Sequence, residues 1–190
     1  MKSLIIETST ESALLAVLEN GRLLWEKHLL GGPALSKSLG LEIKKILELI
    51  PPPFDQIILG SGPGSYTGIR VGAAMAQALS FGWKIPLYTV SSLTAFAPDK
   101  ENFVIAIDAR SGGLFIQENF TLPKLLKLED AEIILQSYPI VASPHPEKLL
   151  QRMPTLTNLV QTKPNAFLLA QFSIPASKPD LSYLSTPGFS

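Results

Sequence analysis

The chain has 190 residues, and its 16 basic side chains balance 16 acidic ones, so the formal net charge is zero. This length allows one sizeable core or two small lobes, and the even charge excludes a strongly basic nucleic-acid-binding domain. Because there is no cysteine, disulfides, thiolate metal sites and a cysteine nucleophile are excluded. No apolar run approaches the roughly 20 residues that span a bilayer, and the N-terminus lacks a signal-peptide pattern. We therefore expect a cytoplasmic protein that does not engage membranes.

The first hundred residues show the alternation of strands and helices that is typical of an α/β fold. Asn20 and Gly21 predict a tight hairpin because both residues accept positive φ. Apolar residues then follow helical spacing until three prolines end the helix. The predicted strands are residues 4–6, 13–18, 23–25, 57–59, 87–90 and 103–107, and the predicted helices are about 35–50, 67–82 and 91–97. This order predicts a mixed sheet with helices on its faces.

The second half of the chain has weaker patterns and many prolines. Eight of the sixteen prolines follow residue 138, which favours loops over long helices and strands. We predict a hairpin near residues 110–113, a strand at 140–142, an amphipathic segment at 165–172 and a surface tail over the last dozen residues. The chain is therefore divided into an N-terminal lobe, residues 1–100, and a smaller lobe, residues 101–190.

A glycine-rich loop, GSGPGSYTGIR at residues 60–70, lies between a predicted strand and a predicted helix. It matches neither the Walker pattern nor the dinucleotide fingerprint, and it lacks the hydrolase elbow. Small residues recur at every fourth position and form a ridge on one helix face; they are Gly64, Gly68, Gly72, Ala76 and Ser80. The ridge favours close packing or a partner interface, and anion binding at the helix N-terminus is the alternative.

Residues 60–82 resemble the signature block of the TsaB (YeaZ) family. Three shorter stretches also resemble that family: residues 4–10 its opening strand and turn, residues 90–93 its Val-Ser-Ser/Thr-Leu motif, and residues 108–112 its Asp-Ala-Arg-x-Gly motif. Glu7 stands where the family usually has Asp. Residues 183–184 resemble part of a closing Pro-x-Tyr-Leu-Arg motif, with Ser185 in place of the Arg.

This resemblance implies a two-lobed actin-like ATPase (ribonuclease H-like) fold with mixed sheets flanked by helices. It also implies a non-catalytic dimerisation or scaffold subunit that supports TsaD, the enzyme that attaches threonylcarbamoyl to N6 of adenosine 37. The tRNAs concerned read codons beginning with A. A TsaE-like ATPase would join the complex, and the chain would form a homodimer when alone. It would meet tRNA only through the complex, and no cofactor would bind it tightly, since ATP and Mg²⁺ belong to the wider complex.

The family's partner contact, through its first two helices, corresponds here to the first apolar stripe and the small-residue ridge. Arg70 lies near a helix N-terminus, where a cation is unfavourable unless it has an anionic partner. The residues expected at the interface are Leu35, Leu39, Ile43, Ile46, Gly68, Arg70, Gly72, Ala73, Ala76 and Gln77. Leu35 stands where many family members have a histidine.

No catalytic residue and no metal site are predicted. The His-x-x-x-His pair of catalytic relatives is absent, and two isolated histidines, His28 and His145, are weak metal ligands. Glu7 and Asp108 correspond to acidic groups that hold Mg²⁺ through water in actin-like ATPases. A vestigial nucleotide or anion site would comprise Glu7, Thr8, Ser9, Gly64, Ser65, Asp108 and Arg110. The alternative functions are an ATPase or kinase of the same superfamily, or a peptidase, for which no nucleophile–base dyad is visible.

Overall fold

The computed structural model describes residues 1–109, 112–177 and 181 of the chain. The strands are β1 (Lys2–Glu7), β2 (Ser12–Glu19), β3 (Arg22–Leu30), β4 (Gln56–Gly60), β5 (Leu87–Val90), β6 (Phe103–Asp108), β7 (Gly113–Glu118), β8 (Lys124–Lys127), β9 (Ile140–Ser143), β10 (Leu159–Gln161) and β11 (Ile174–Ala176). The helices are α1 (Leu35–Leu49), α2 (Tyr66–Trp83), α3 (Leu128–Ser137), α4 (Pro146–Arg152) and α5 (Ala166–Phe172), with a 3-10 helix at Ser92–Phe96. None of these helices is long and apolar enough to cross a bilayer.

The first sheet has the strand order β11-β5-β4-β1-β2-β3. Its strands β1, β4 and β5 are parallel, while β2 is antiparallel to both of its neighbours. The predicted order of strands and helices in this half of the chain is confirmed. Asn20 and Gly21 join β2 to β3 with φ angles of 51° and 75°, as the hairpin signal predicts.

The second sheet has the order β10-β9-β6-β7-β8. The predicted strands in β6 and β9 are confirmed, and β7 pairs antiparallel with β6 after the predicted turn. Two of that turn's residues, Arg110 and Ser111, lie outside the described residues, as does the predicted tail apart from Leu181. The sequence patterns miss β8, β10 and β11, which are short edge strands with no fully buried residue. They therefore lack the buried apolar run that marks the equally short β5 and β9.

The division at residue 100 needs one correction, because the chain returns to the first lobe near its end. Strand β11 pairs antiparallel with β5 and completes one edge of the first sheet. Helix α5 packs with residues of β1, β2 and β4 in a shared apolar cluster. Both elements belong to residues 101–190 in the predicted division. They lie with the first lobe because β5 would otherwise have an unpaired edge and α5 an uncovered apolar face.

The first sheet is covered on both faces, which explains why its central strands are almost continuously apolar. Helices α1 and α2 cover one face, where their apolar side chains pack against Leu4, Ile6 and Leu59. The 3-10 helix, α5 and residues of the second sheet cover the other face, against Ile5, Leu14 and Ile58. Helices α1 and α2 therefore form an outer layer whose opposite side faces away from the rest of the described chain.

Candidate functional site

The glycine ridge of α2 packs against the turn that follows β1 of the same chain. A Cβ atom on Gly68 would overlap the carbonyl oxygen of Thr8, and one on Gly72 would overlap the Thr8 hydroxyl. That hydroxyl donates a hydrogen bond of 2.8 Å to the carbonyl of Gly68. At the start of the ridge, the Ser65 N–H donates to the Ser9 carbonyl at 2.6 Å. The glycines therefore allow α2 to approach the chain's own backbone.

This arrangement corrects the prediction that the ridge itself is a docking surface. The central ridge residues of α2 and the apolar stripe of α1 are buried, because both point into the core between the helices and the first sheet. Gly64 and Ser80, at the two ends of the ridge, are half-buried. The corrected residues are Leu35, Leu39, Ile43, Ile46, Gly68, Gly72, Ala73 and Ala76. Two residues of the predicted interface, Arg70 and Gln77, are exposed on α2, and their contact with a partner stays a prediction.

The exposed side of the same two helices forms a different surface. We define the outer face as Lys37, Leu41, Lys44 and Glu48 of α1 together with Arg70, Ala74, Gln77, Ala78 and Phe81 of α2, all of which are exposed. Phe81 is 88 % exposed and Leu41 is 51 % exposed. Sequence reasoning missed Ala74, Ala78 and Phe81 because their spacing matches that of the buried ridge. A helical period identifies two opposite faces but not which of them is buried.

A cleft of about 330 Å³ lies between the two lobes, beside the N-terminus of α2. It brings together four residues of the predicted vestigial site, namely Ser9, Gly64, Ser65 and Asp108. Thr8 and Glu7 do not line it, and Arg110 lies outside the described residues. The second lobe contributes Ser143, His145 and Lys148 to the lining. These three residues were not predicted to lie at this site, because no local sequence pattern links them to the glycine-rich loop.

The charged groups of the cleft are engaged with one another. Lys148 of α4 pairs with Glu11 of the β1–β2 turn at 2.7 Å and thereby joins the two lobes across the cleft. Asp108 at the end of β6 is paired with Arg152. His145, at the N-cap position of α4, has its Nδ1 atom 3.5 Å from the Glu147 carboxylate. The cleft walls therefore carry little uncompensated charge.

Glu7 is enclosed at the end of β1 and is fully buried. Its Oε1 atom accepts a hydrogen bond of 2.6 Å from the Ser9 N–H. Its Oε2 atom occupies the space where a Cβ of Gly60 would lie, and this oxygen has no hydrogen-bond partner among the described residues. Burial raises the pKa of Glu7 above its usual 4.5, although the nearby hydroxyls of Ser9 and Ser92 favour the charged form.

These placements do not fit the hydrated Mg²⁺ and nucleotide that the fold family implies. Glu7 is buried and does not line the cleft, and the raised pKa of its carboxyl disfavours the charge that would attract a cation. Asp108, the other predicted acidic group, is held by Arg152. Within the described ranges, no three His, Cys, Asp or Glu side chains are grouped so that they could ligate a metal.

Two sheets, a helix pair over the first sheet and a cleft between the lobes define an α/β protein of the actin-like (ribonuclease H-like) class. The model of the family described as "TsaD: tRNA N6-adenosine threonylcarbamoyltransferase" matches residues 36–162, more than half of the chain. The chain belongs to this family and, within it, to the TsaB (YeaZ) group. The fold class and the family expected from the sequence are both confirmed.

Curated relatives support this assignment. The chain is 36 % identical over 126 residues to the tRNA threonylcarbamoyladenosine biosynthesis protein TsaB of Haemophilus influenzae. The matched stretch covers 60 % of this chain and 52 % of the relative. It is 31 % identical over 127 residues to TsaB of Escherichia coli, and this matched stretch covers 62 % of this chain and 54 % of the relative. The chain thus spans about half the length of these curated relatives.

Solved structures show the same fold over nearly the whole chain. The structure described as "YeaZ from Pseudomonas aeruginosa" has a TM-score of 0.71 at 21 % identity, covering 96 % of this chain and 99 % of that one. A second structure is described as an uncharacterized protein with similarity to peptidase YEAZ from Pseudomonas aeruginosa. It has a TM-score of 0.73 at 23 % identity and covers 90 % and 88 %.

Proposed function

We propose that this protein is a non-catalytic scaffold subunit in the biosynthesis of threonylcarbamoyladenosine in tRNA. It would hold a TsaD-type catalytic subunit on the outer face and support transfer of the threonylcarbamoyl group to N6 of adenosine 37, in tRNAs that read codons beginning with A. A TsaE-type ATPase would join this assembly in the cytoplasm. The protein would contact tRNA only through the complex, because its net charge of zero provides no general attraction for phosphates.

The observation that carries this proposal is the apolar, small-residue surface of α2 that no described part of the chain covers. Phe81 exposes 88 % of its surface, and Ala74 and Ala78 precede it by about two turns and one turn on the same side. Aromatic side chains are enriched at surfaces that bind another protein, and contiguous exposed apolar patches mark such surfaces. In the absence of the catalytic subunit, a second copy of this chain would cover the same face and form a homodimer.

Replacing Ala74 with tryptophan is expected to abolish binding of the TsaD-type subunit and to leave the monomer folded. Ala74 is exposed, so a large side chain meets no neighbour in the monomer but would hold a docked helix away. Light scattering on a sizing column measures the complex, and thermal melting reports on the fold. Gln136→Trp on α3 is the control, because it adds the same side chain at an exposed helical position of the other lobe. An Ala74→Trp protein that still forms the complex would contradict the proposal.

The purified chain alone is expected to release no phosphate from Mg–ATP above the buffer background. Its two predicted acidic groups are unsuited to hold the metal, since Glu7 is enclosed and Asp108 is paired with Arg152. A phosphate-release assay at saturating Mg–ATP measures this, with a TsaE-type ATPase as the positive control. Turnover by this chain that Asp108→Asn removes would favour the ATPase or kinase alternative instead.

A further inference from the structure

The outer face carries more positive than negative charge, although the whole chain is neutral. Lys37, Lys44 and Arg70 are exposed there, and Glu48 is the exposed carboxylate beside them. Among the described residues, none of the three cations has an ion pair. The other carboxylate of α1, Glu42, is largely buried and is bound by Lys27 and Lys45 at 2.9 and 2.8 Å. The face therefore presents three cations that have no ion-pair partner among the described residues, although Arg70 contacts Tyr66 of its own helix.

The sheet topology places two of these cations at the same end of the helix pair. Strand β3 is parallel to β1 because both are antiparallel to β2, and β4 and β5 share that direction. Helices α1 and α2 each connect two parallel strands, so the two helices run in the same direction. Lys37 and Arg70 both lie near the N-terminal ends, and neither helix has an acidic residue in its first turn.

Arg70 is held in place by its own helix. Its guanidinium lies 4.9 Å from the centre of the Tyr66 ring and donates a hydrogen bond to the Tyr66 hydroxyl. Tyr66 is one turn earlier on α2 and is 59 % exposed. The cation thus sits near the positive end of the helix dipole, where only an anion would compensate it. An oriented guanidinium is suited to bind a carboxylate through two parallel hydrogen bonds.

We infer that the partner segment on the outer face is an acidic helix, with a carboxylate that binds Arg70 and small or apolar residues that pack on Ala74 and Ala78. This inference rests on the proposed function and adds the chemistry of the docking segment. The alanines leave room for a second helix to approach closely. The three cations favour an acidic segment over a basic one, because like charges at an interface are strongly disfavoured and opposite charges complement each other.

The test measures affinity for the TsaD-type subunit of the same genome by titration calorimetry, at low and at high salt. Arg70→Glu is expected to weaken binding by at least about 30-fold, because it opposes two carboxylates in a desolvated contact. Arg70→Lys keeps the charge but loses the fork of donors, so it should weaken binding less. Lys163→Glu makes the same kind of charge change at an exposed position of the other lobe, and its affinity should equal that of the wild type. Wild-type affinity should fall as salt rises.

The outcomes separate this inference from the proposed function. If Ala74→Trp prevents binding while Arg70→Glu binds as tightly as the wild type, the acidic helix is excluded and the docking face stands. If the wild-type chain does not bind the subunit at all, both are wrong. Melting curves establish that each variant is folded, and Arg70→Gln, which removes the charge without reversing it, replaces Arg70→Glu if that variant fails to fold. An affinity for Arg70→Gln equal to that of the wild type would also overturn the inference.

Discussion

Replacing Gly68 with alanine is expected to lower the free energy of unfolding by about 1–3 kcal/mol. The added Cβ would overlap the Thr8 carbonyl oxygen, and this oxygen belongs to the backbone of a buried turn, so it cannot move aside as a flexible side chain would. Either α2 or the β1–β2 turn must shift, and the hydrogen bond between the Thr8 hydroxyl and the Gly68 carbonyl would be strained. Urea denaturation followed by circular dichroism measures the loss.

Gly82→Ala is the matched control, because Gly82 lies in the same helix and a Cβ there would meet nothing within 4 Å. Alanine has the higher helix propensity, so this variant is expected to gain roughly 0.5–1 kcal/mol. The same Gly→Ala substitution would then change the free energy of unfolding in opposite directions at two positions of one helix. The close packing at Gly68 would explain this difference. A Gly68→Ala protein as stable as the wild type but unable to associate would restore the interpretation of the ridge as a docking surface.

Replacing Glu7 with glutamine is expected to stabilise the protein increasingly as the pH rises above about 4.5. Burial raises the pKa of Glu7 in the folded state, so the folded protein retains a proton that the unfolded chain releases. The contribution of Glu7 to stability is therefore most favourable below the unfolded pKa. This contribution falls by up to about 1.4 kcal/mol per pH unit between the unfolded and the folded pKa. Glutamine does not ionise, and its carbonyl can still accept the Ser9 N–H.

The measurement is the melting temperature of both proteins across the range from mildly acidic to mildly alkaline pH. Glu42→Gln is a control of opposite sign, because hydrogen bonds from Lys45 and Lys27 lower the pKa of Glu42. The stabilisation by Glu42 is present above its usual pKa of 4.5 and is lost as the pH falls. A difference between wild type and Glu7→Gln that does not grow with pH would show that Glu7 is charged in the folded protein.

Local sequence patterns determined the first half of the fold. The Asn20–Gly21 hairpin, the helical stripe of α1 and the strand before the glycine loop each depend on neighbours within a few residues, so a period or a turn signal is sufficient to predict them. The same local reasoning excluded the familiar phosphate loops. It could not place the short edge strands β10 and β11, which pair with strands distant in the sequence.

Only the tertiary structure decided what the small residues of α2 contact. Gly72 and Ala74 are two positions apart, and both belong to small-residue runs with helical spacing. Gly72 is buried because the Thr8 hydroxyl lies against it, whereas Ala74 faces outwards. In the same way, the pairing of Lys148 with Glu11 across the cleft and the enclosure of Glu7 involve residues that only folding brings together. Periodicity defines the faces of a helix, but the face that is buried depends on which distant segment of the chain excludes water from it.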